Sequence, residues 1–236
     1  MLAAMDVPSE QEDRFNAWYA QEHLTERLAV PGMLSARRYL RRPGSDGPGL
    51  QYLTMYEAAS VDVLASPAYL RQLDEPSPLT RAVVLGRTSS GSATRRSVLT
   101  TVTSHGTAVG RHMVHVDVPS DDPDVAAWVL RALVPRLLSA WEVCAVHVAA
   151  LDDAATDAKQ VTADGRAFGP TARARGLVLM VEGTHRVAEL FLEHVPEHTG
   201  TDRPWRAALR DGTTYGLLVA QLAPVRQGTA GPSAGV

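Results

Sequence analysis

The sequence predicts an α+β protein: two ferredoxin-like β-α-β-β-α-β units in tandem, their sheets packed against each other or joined at their edges into a pseudo-dimeric α/β barrel. Three observations predict it. Met5-Asp6-Val7-Pro8-Ser9 returns as Val116-Asp117-Val118-Pro119-Ser120, and an Ala-Trp pair follows each (Ala17-Trp18, Ala127-Trp128). Met55-Tyr56-Glu57-Ala58 is echoed by Met180-Val181-Glu182-Gly183, each ahead of a short amphipathic stretch. The repeat distance of roughly 110–125 residues is that of a domain and far exceeds a solenoid period. A lone sheet with helices on one face leaves the other face and its edges open, and a second copy covers them.

Each element has its own signal. Leu2 to Val7 is a short apolar strand, and Pro8-Ser9 with Glu10, Glu12 and Asp13 opens a helix whose first turn favours carboxylates. Phe15, Trp18, Tyr19, Leu24 and Leu28 form its apolar stripe to about Ala29, where Pro31-Gly32 ends it. Met33 to Arg41 and Leu50 to Glu57 pair as a hairpin across the Gly/Pro loop 43–49. Ser60 to Leu73 is helical with an interruption at Ser66-Pro67, Pro78 to Gly86 adds a short helix, and Gly86 to Gly91 is a loop. Ser97 to Thr103 is the β-branched fourth strand. The order then repeats: strand His112 to Val118, helix Pro123 to Leu138, strands Val143 to Leu151 and Leu177 to Glu182, helix His185 to His194, strand Tyr215 to Leu222. Asp152 to Arg175 reads as a long lid-like loop. The expected domains are residues 1–104 and 110–225, with a disordered tail over 226–236.

Composition narrows the function classes. The 236 residues carry a net charge of −3 and no run of basic side chains, which argues against a nucleic-acid surface. No apolar run reaches membrane-spanning length and no basic segment precedes an apolar core at the start, so a cytoplasmic protein without membrane contact is expected. The single cysteine, Cys144, sits in an apolar stretch and is expected to be a buried, inert thiol. Gly-rich phosphate loops, Gly-x-Ser-x-Gly elbows and dinucleotide fingerprints are all missing. His112, His115 and His147 fall on strands of the second half, but no carboxylate-rich or Cys-x-x-Cys context marks a metal site. His194 and His198 flank Pro196 and read as surface residues. No metal and no cofactor are expected.

The two halves differ where chemistry could sit. Trp18-Tyr19-Ala20-Gln21-Glu22-His23 in the first corresponds to Trp128-Val129-Leu130-Arg131-Ala132-Leu133 in the second. The stretch from Glu12 to Gly32, with Phe15, Trp18-Tyr19, Glu22-His23, Glu26-Arg27-Leu28 and Pro31-Gly32 at their spacings, resembles the signature of bacterial EthD-like proteins of the dimeric α/β-barrel superfamily. The strand Ala36-Arg37-Arg38-Tyr39, Tyr52 to Tyr56 and Ser66-Pro67-Ala68-Tyr69 extend the likeness over about the first 75 residues. That superfamily holds polyketide cyclases, lactone isomerases, cofactor-free quinol monooxygenases and haem enzymes, so the resemblance implies an architecture and a pocket position and leaves the reaction open.

Helical spacing sets Tyr19, His23 and Glu26 or Arg27 on one stripe. His23 is the candidate base, Tyr19 the donor to a developing oxyanion, and Glu26 the carboxylate that fixes the imidazole tautomer. The structural alternative has His23 capping the helix against a strand carbonyl while Tyr19 packs as core. Trp18, Arg27, Arg38, Tyr52 and Tyr56 are the substrate-binding candidates. Arg27, Arg37 and Arg38 are candidates for holding an anionic or phenolate oxygen; Arg37 and Arg38 alternate on one strand, so they face opposite ways and at least one is expected in solvent. Tyr52, Thr54 and Tyr56 share a face. The expected function is a tailoring enzyme moving protons on a small aromatic or polyketide-like metabolite by cyclisation, isomerisation or dehydration. A cofactor-free monooxygenase and a non-catalytic binding protein are the alternatives. The assembly is expected to be a monomer with pseudo-dimeric halves, or a homodimer.

Overall fold

The computed structural model describes residues 1–45, 50–89, 93–118, 123–160, 162–163, 176–195 and 209–224. His198, Gly91 and the tail 226–236 lie outside them. In the first half the strands are β1 (Leu2–Met5), β2 (Met33–Arg41), β3 (Tyr52–Ala58), β4 (Thr94–Ser97) and β5 (Leu99–His105); in the second they are β6 (His112–Val118), β7 (Val143–Leu151), β8 (Leu177–Gly183) and β9 (Thr213–Leu222). The sheet runs β4-β1-β3-β2-β9-β6-β8-β7-β5. Its two ends are one strand. Only Val98 separates β4, which pairs with β1, from β5, which pairs with β7, so the sheet closes on itself. β9 joins the two halves: Thr213–Gly216 pair with β6 and Tyr215–Leu222 with β2, so Tyr215 and Gly216 pair on both sides.

Closure creates three cores. Alternate residues of each strand point inward, where Tyr39, Leu53, Met55, Met113, Met180 and Tyr215 fill the barrel. The opposite faces carry helices. Over the first half lie α1 (Glu12–Trp18), α2 (Leu24–Leu28), α3 (Pro67–Asp74) and α4 (Pro78–Ser89); over the second lie α5 (Pro123–Trp128), α6 (Val134–Leu138) and α8 (Val187–His194). Both faces of β2 are covered at Arg37 and Arg38, so the two are buried, contrary to the expectation that at least one would be solvated.

Several local signals place their elements. Ser66 caps α3: its hydroxyl accepts from the Tyr69 N–H at 3.2 Å, and Pro67 occupies the first turn, where no N–H is needed. The Ser66-Pro67 interruption is therefore a helix start, with a separate 3-10 turn over Val61–Ala65 before it. Gly32 turns the chain after α2 at φ +90°, and a Cβ there would lie 2.6 Å from a Val63 methyl. Two regions read as loops are partly helical: α4 runs on to Ser89, and the 152–175 segment opens with α7 (Asp153–Gln160). There Asp152 Oδ1 accepts from the Ala155 N–H, which starts the helix.

The long first helix of each half is also not uniform. A π-type turn widens it at Tyr19–His23 and again at Val129–Leu133. Strand register gives a second refinement. Ser35 pairs with Glu57 as Ala145 pairs with Glu182, and Leu2 opposite Met55 corresponds to His115 opposite Met180. Met5 therefore matches Val118, two residues on from the sequence echo, and β6 extends three residues beyond the counterpart of β1.

One buried group gives the fold a pH signature. His115 lies inside the barrel, and burial pushes its pKa from 6.5 down to about 4, with Asp117 opposing and Arg95 assisting. The imidazole is thus neutral at pH 7, and its 3.7 Å approach to Asp117 is no ion pair there. Between these pKa values the unfolded chain takes up a proton that the folded chain refuses. Stability is present above about pH 6.5 and lost as pH falls towards 4, by about 3 kcal/mol from this one group. Urea unfolding at pH 7 and pH 4.5 should show a markedly shallower loss in His115→Gln than in the parent. Equal losses would contradict it.

Candidate functional site

The π-type turn decides what surrounds His23. It brings residues four and five positions back onto one ring. The Trp18 and Tyr19 ring centroids lie 4.2 and 4.9 Å from that of His23, and Tyr56 reaches across from β3 at 6.4 Å. These four side chains, with Arg27, Tyr69, Met1 and Met5, line a small space of about 30 Å³ between the helices and the first-half sheet. That volume suits a water-sized group. Trp18 is fixed from behind: its indole N–H donates to Thr80 Oγ1 at 2.9 Å, and Thr80 donates to Glu22 at 2.9 Å.

Positive charge surrounds this layer from two sides. Arg27 is buried, 5.8 Å from the Tyr69 centroid, and its guanidinium donates to Gln72 at 3.4 Å. Arg38 is buried among three rings, its Cζ 4.2 Å from the centroid of Tyr52, 4.3 Å from that of Tyr19 and 5.1 Å from that of Phe15. No carboxylate pairs with it among the described residues, and its Nε and Nη2 have no hydrogen-bond partner. Burial lowers its pKa, against the pull of Tyr19, Tyr52 and Tyr56. Aromatic faces are worth about 2 kcal/mol to a desolvated cation, less than a lost hydration shell. Tyr52 donates to Glu12 and accepts from Asn16 at 3.2 Å. Tyr56 is wholly buried, and desolvation, then Tyr19, raise its pKa well above the phenol value, with Arg27 opposing. It is a proton donor at neutral pH.

The structure thus brings His23, Tyr19, Trp18, Arg27 and Tyr56 to one cavity. Arg38 and Tyr52 form the adjoining layer beneath Tyr19. Glu26 is not part of the lining. Its carboxyl pKa is raised by burial and then by Glu22, with Arg27 pulling it down. In the second half the matching positions, Val129 and Leu133, are fully buried in the apolar core.

A second polar site has no counterpart in the sequence reading. Inside the barrel mouth Arg37 bridges two glutamates, at 2.8 Å to Glu57 and 2.5 Å to Glu182. Glu182 also accepts from the Gly110 N–H at 2.9 Å and lies 3.4 Å from His147 Nε2, while Ser35 donates to Glu57. Burial works to lower the Arg37 pKa, but Glu182 and Glu57 outweigh it and leave the pKa raised. By the strand register Glu57 matches Glu182 and Arg37 matches His147. The signal was present in the Met55–Ala58 and Met180–Gly183 echo, which ends two apolar strands on the same acid. This cluster borders a cavity of about 530 Å³ that reaches Met55, Met180 and Thr101. Cys144 stands nearby. It is only partly buried, and burial followed by Glu182 pushes its thiol pKa up, which keeps it a poor nucleophile. No cluster of three or more metal-ligating side chains occurs among the described residues, and no described helix is long and apolar enough to cross a membrane.

Solved structures share this fold. One is an anthrone oxidase-like protein, 12% identical, with a TM-score of 0.51 and coverage of 97% of this chain and 96% of its own. Another, from Fusobacterium nucleatum subsp. nucleatum and provisionally assigned as a monooxygenase, is 7% identical, with a TM-score of 0.51 and coverage of 94% and 92%. At such identities the likeness establishes architecture alone. No protein-family model matches the chain, and no curated protein matches its sequence.

Proposed function

We propose that the chain is an EthD-like tailoring enzyme whose first step is proton abstraction by His23 from a small aromatic or polyketide-like metabolite. The observation that carries this is the asymmetry between copies. The same π-type turn holds Tyr19 and His23 in one half and Val129 and Leu133 in the other, so packing alone does not require the polar pair. In this reading His23 takes a proton from carbon or from a phenol. Tyr19 and Tyr56 donate to the oxygen that gains charge, and Arg27 and Arg38 stabilise the anion electrostatically. Glu26 remains the proposed tautomer-setting group, acting from the edge of the layer. A ring-sized substrate needs more than the present 30 Å³. The methionine walls, Met1 and Met5, are the flexible parts that would yield.

Cyclisation, isomerisation and dehydration all follow from such an anion without a prosthetic group. The second reading is oxygenation of the same anion, R₂CH₂ + O₂ → R₂CO + H₂O. It is supported by the fold shared with an anthrone oxidase-like protein and a provisionally assigned monooxygenase. An oxygen electrode separates the two. Consumption of one O₂ per substrate turned over supports oxygenation, and turnover with no uptake supports cyclase, isomerase or dehydratase chemistry. Binding of an aromatic ketone panel with no conversion of any member would sink both. Tyr19→Phe should lower turnover by about tenfold, since it deletes one donor and little volume. An unchanged rate would remove Tyr19 from the account.

A further inference from the structure

We infer that the barrel mouth is a second ligand site, for a small molecule with an apolar body and a protonated amine head held by Glu57. This does not rest on the His23 reading: the cavity shares Met1 and Tyr56 with the lining around His23, but His23 is not part of it. The cavity of about 530 Å³ falls within the range of small-molecule pockets. Its body is apolar, with Met55, Leu99, Ala149 and Met180 among its walls, and its lining includes no lysine or arginine side chain.

The two matched glutamates show why the head should be a cation. Glu182 is sealed: it is wholly buried, accepts from Gly110 and Arg37, and lies beside His147. Glu57 is its counterpart, and its carboxylate accepts from Arg37 and Ser35. No backbone N–H corresponding to that of Gly110 is bonded to Glu57 among the described contacts, and its side chain is 42% exposed, facing the cavity. Arg37 neutralises one of the two carboxylates. Of the two carboxylates, Glu57 is the one that lines the cavity, whereas the Glu182 side chain is fully buried. Arg37 and Ser35 each occupy one side of the Glu57 carboxylate, and the remaining lone pairs are acceptors, which suits an ammonium with its several N–H groups.

Three probes on one naphthyl scaffold test this: 1-naphthaleneethylamine, its isostere 1-naphthaleneethanol, and 1-naphthaleneacetic acid, each titrated by calorimetry into the full chain at pH 7. The amine should bind with one-to-one stoichiometry and about tenfold tighter than the alcohol, the margin of a charge-assisted over a neutral hydrogen bond. The acid should bind more weakly than the alcohol. Glu57→Gln should remove the amine's advantage and leave the alcohol's affinity in place, which also reports that the cavity is intact. If Glu57→Gln fails to fold, Glu57→Asp retracts the charge without removing it, and the amine should weaken while the alcohol does not. His23→Gln should change nothing. Equal binding of the three probes, no binding of any, an amine preference that survives removal of Glu57, or loss of binding in His23→Gln would each overturn the site.

Discussion

Replacing His23 by Gln should lower turnover by roughly 10²–10⁴-fold while the protein stays folded, the usual contribution of a positioned acid–base group. The glutamine keeps polarity and approximate size beside Trp18 and Tyr19, so the packing of the π-type turn is retained and only the titrating nitrogen is lost. Turnover in the parent should rise with pH, because a protonated imidazole cannot accept a proton. The variant should lose that limb. Full activity on the substrate would refute the role, whereas an unfolded variant, seen by circular dichroism, would support the structural alternative in which His23 only caps the helix.

Replacing Arg37 by Met should be the most destabilising single change outside the apolar cores, at about 3–5 kcal/mol, the range for breaking a buried ion pair. Arg37 is the guanidinium shared by Glu57 and Glu182 inside the barrel. Without it, a wholly buried carboxylate and its counterpart across the mouth repel each other with only the Gly110 N–H, Ser35 and His147 to compensate. Adding Glu182→Met should recover much of the loss, because removing both members of a buried pair costs less than orphaning one. Urea denaturation of both single variants and the double variant measures the coupling. A loss below about 1 kcal/mol for Arg37→Met would show that the bridge is dispensable.

The contrast between these two sites shows what the sequence could and could not disclose. His23, Tyr19 and Trp18 fall within six consecutive residues, so a local pattern and its absence from the second copy were enough to find them. The Arg37 network joins β2, β3, β7 and β8, with partners 20 and 145 residues from Arg37. Nothing local announces that. Expecting Arg37 or Arg38 in solvent assumed a sheet with a wet face. That assumption failed because closure depends on β4 and β5 being one strand bonded to opposite ends of the sheet. Strand alternation placed β6 and β7 to the residue, since each has one apolar face towards the helices. The π-type turns were invisible because one additional residue in a turn leaves an apolar stripe nearly unchanged over so short a helix. Glu26 was placed beside His23 by ideal spacing, but it is not part of the cavity lining.

The most direct test of the central claim is hydrogen exchange at carbon, measured by NMR. An anthrone-type carbon acid is incubated in D₂O without oxygen, with the parent protein and with His23→Gln. Proton abstraction precedes every reaction considered, so the parent should catalyse loss of the acidic C–H signal at a rate well above buffer, and His23→Gln should return it to the buffer rate. Exchange that is equal in the parent and the variant, or no faster than buffer in either, would contradict the assignment of the first-copy layer as a proton-transfer site.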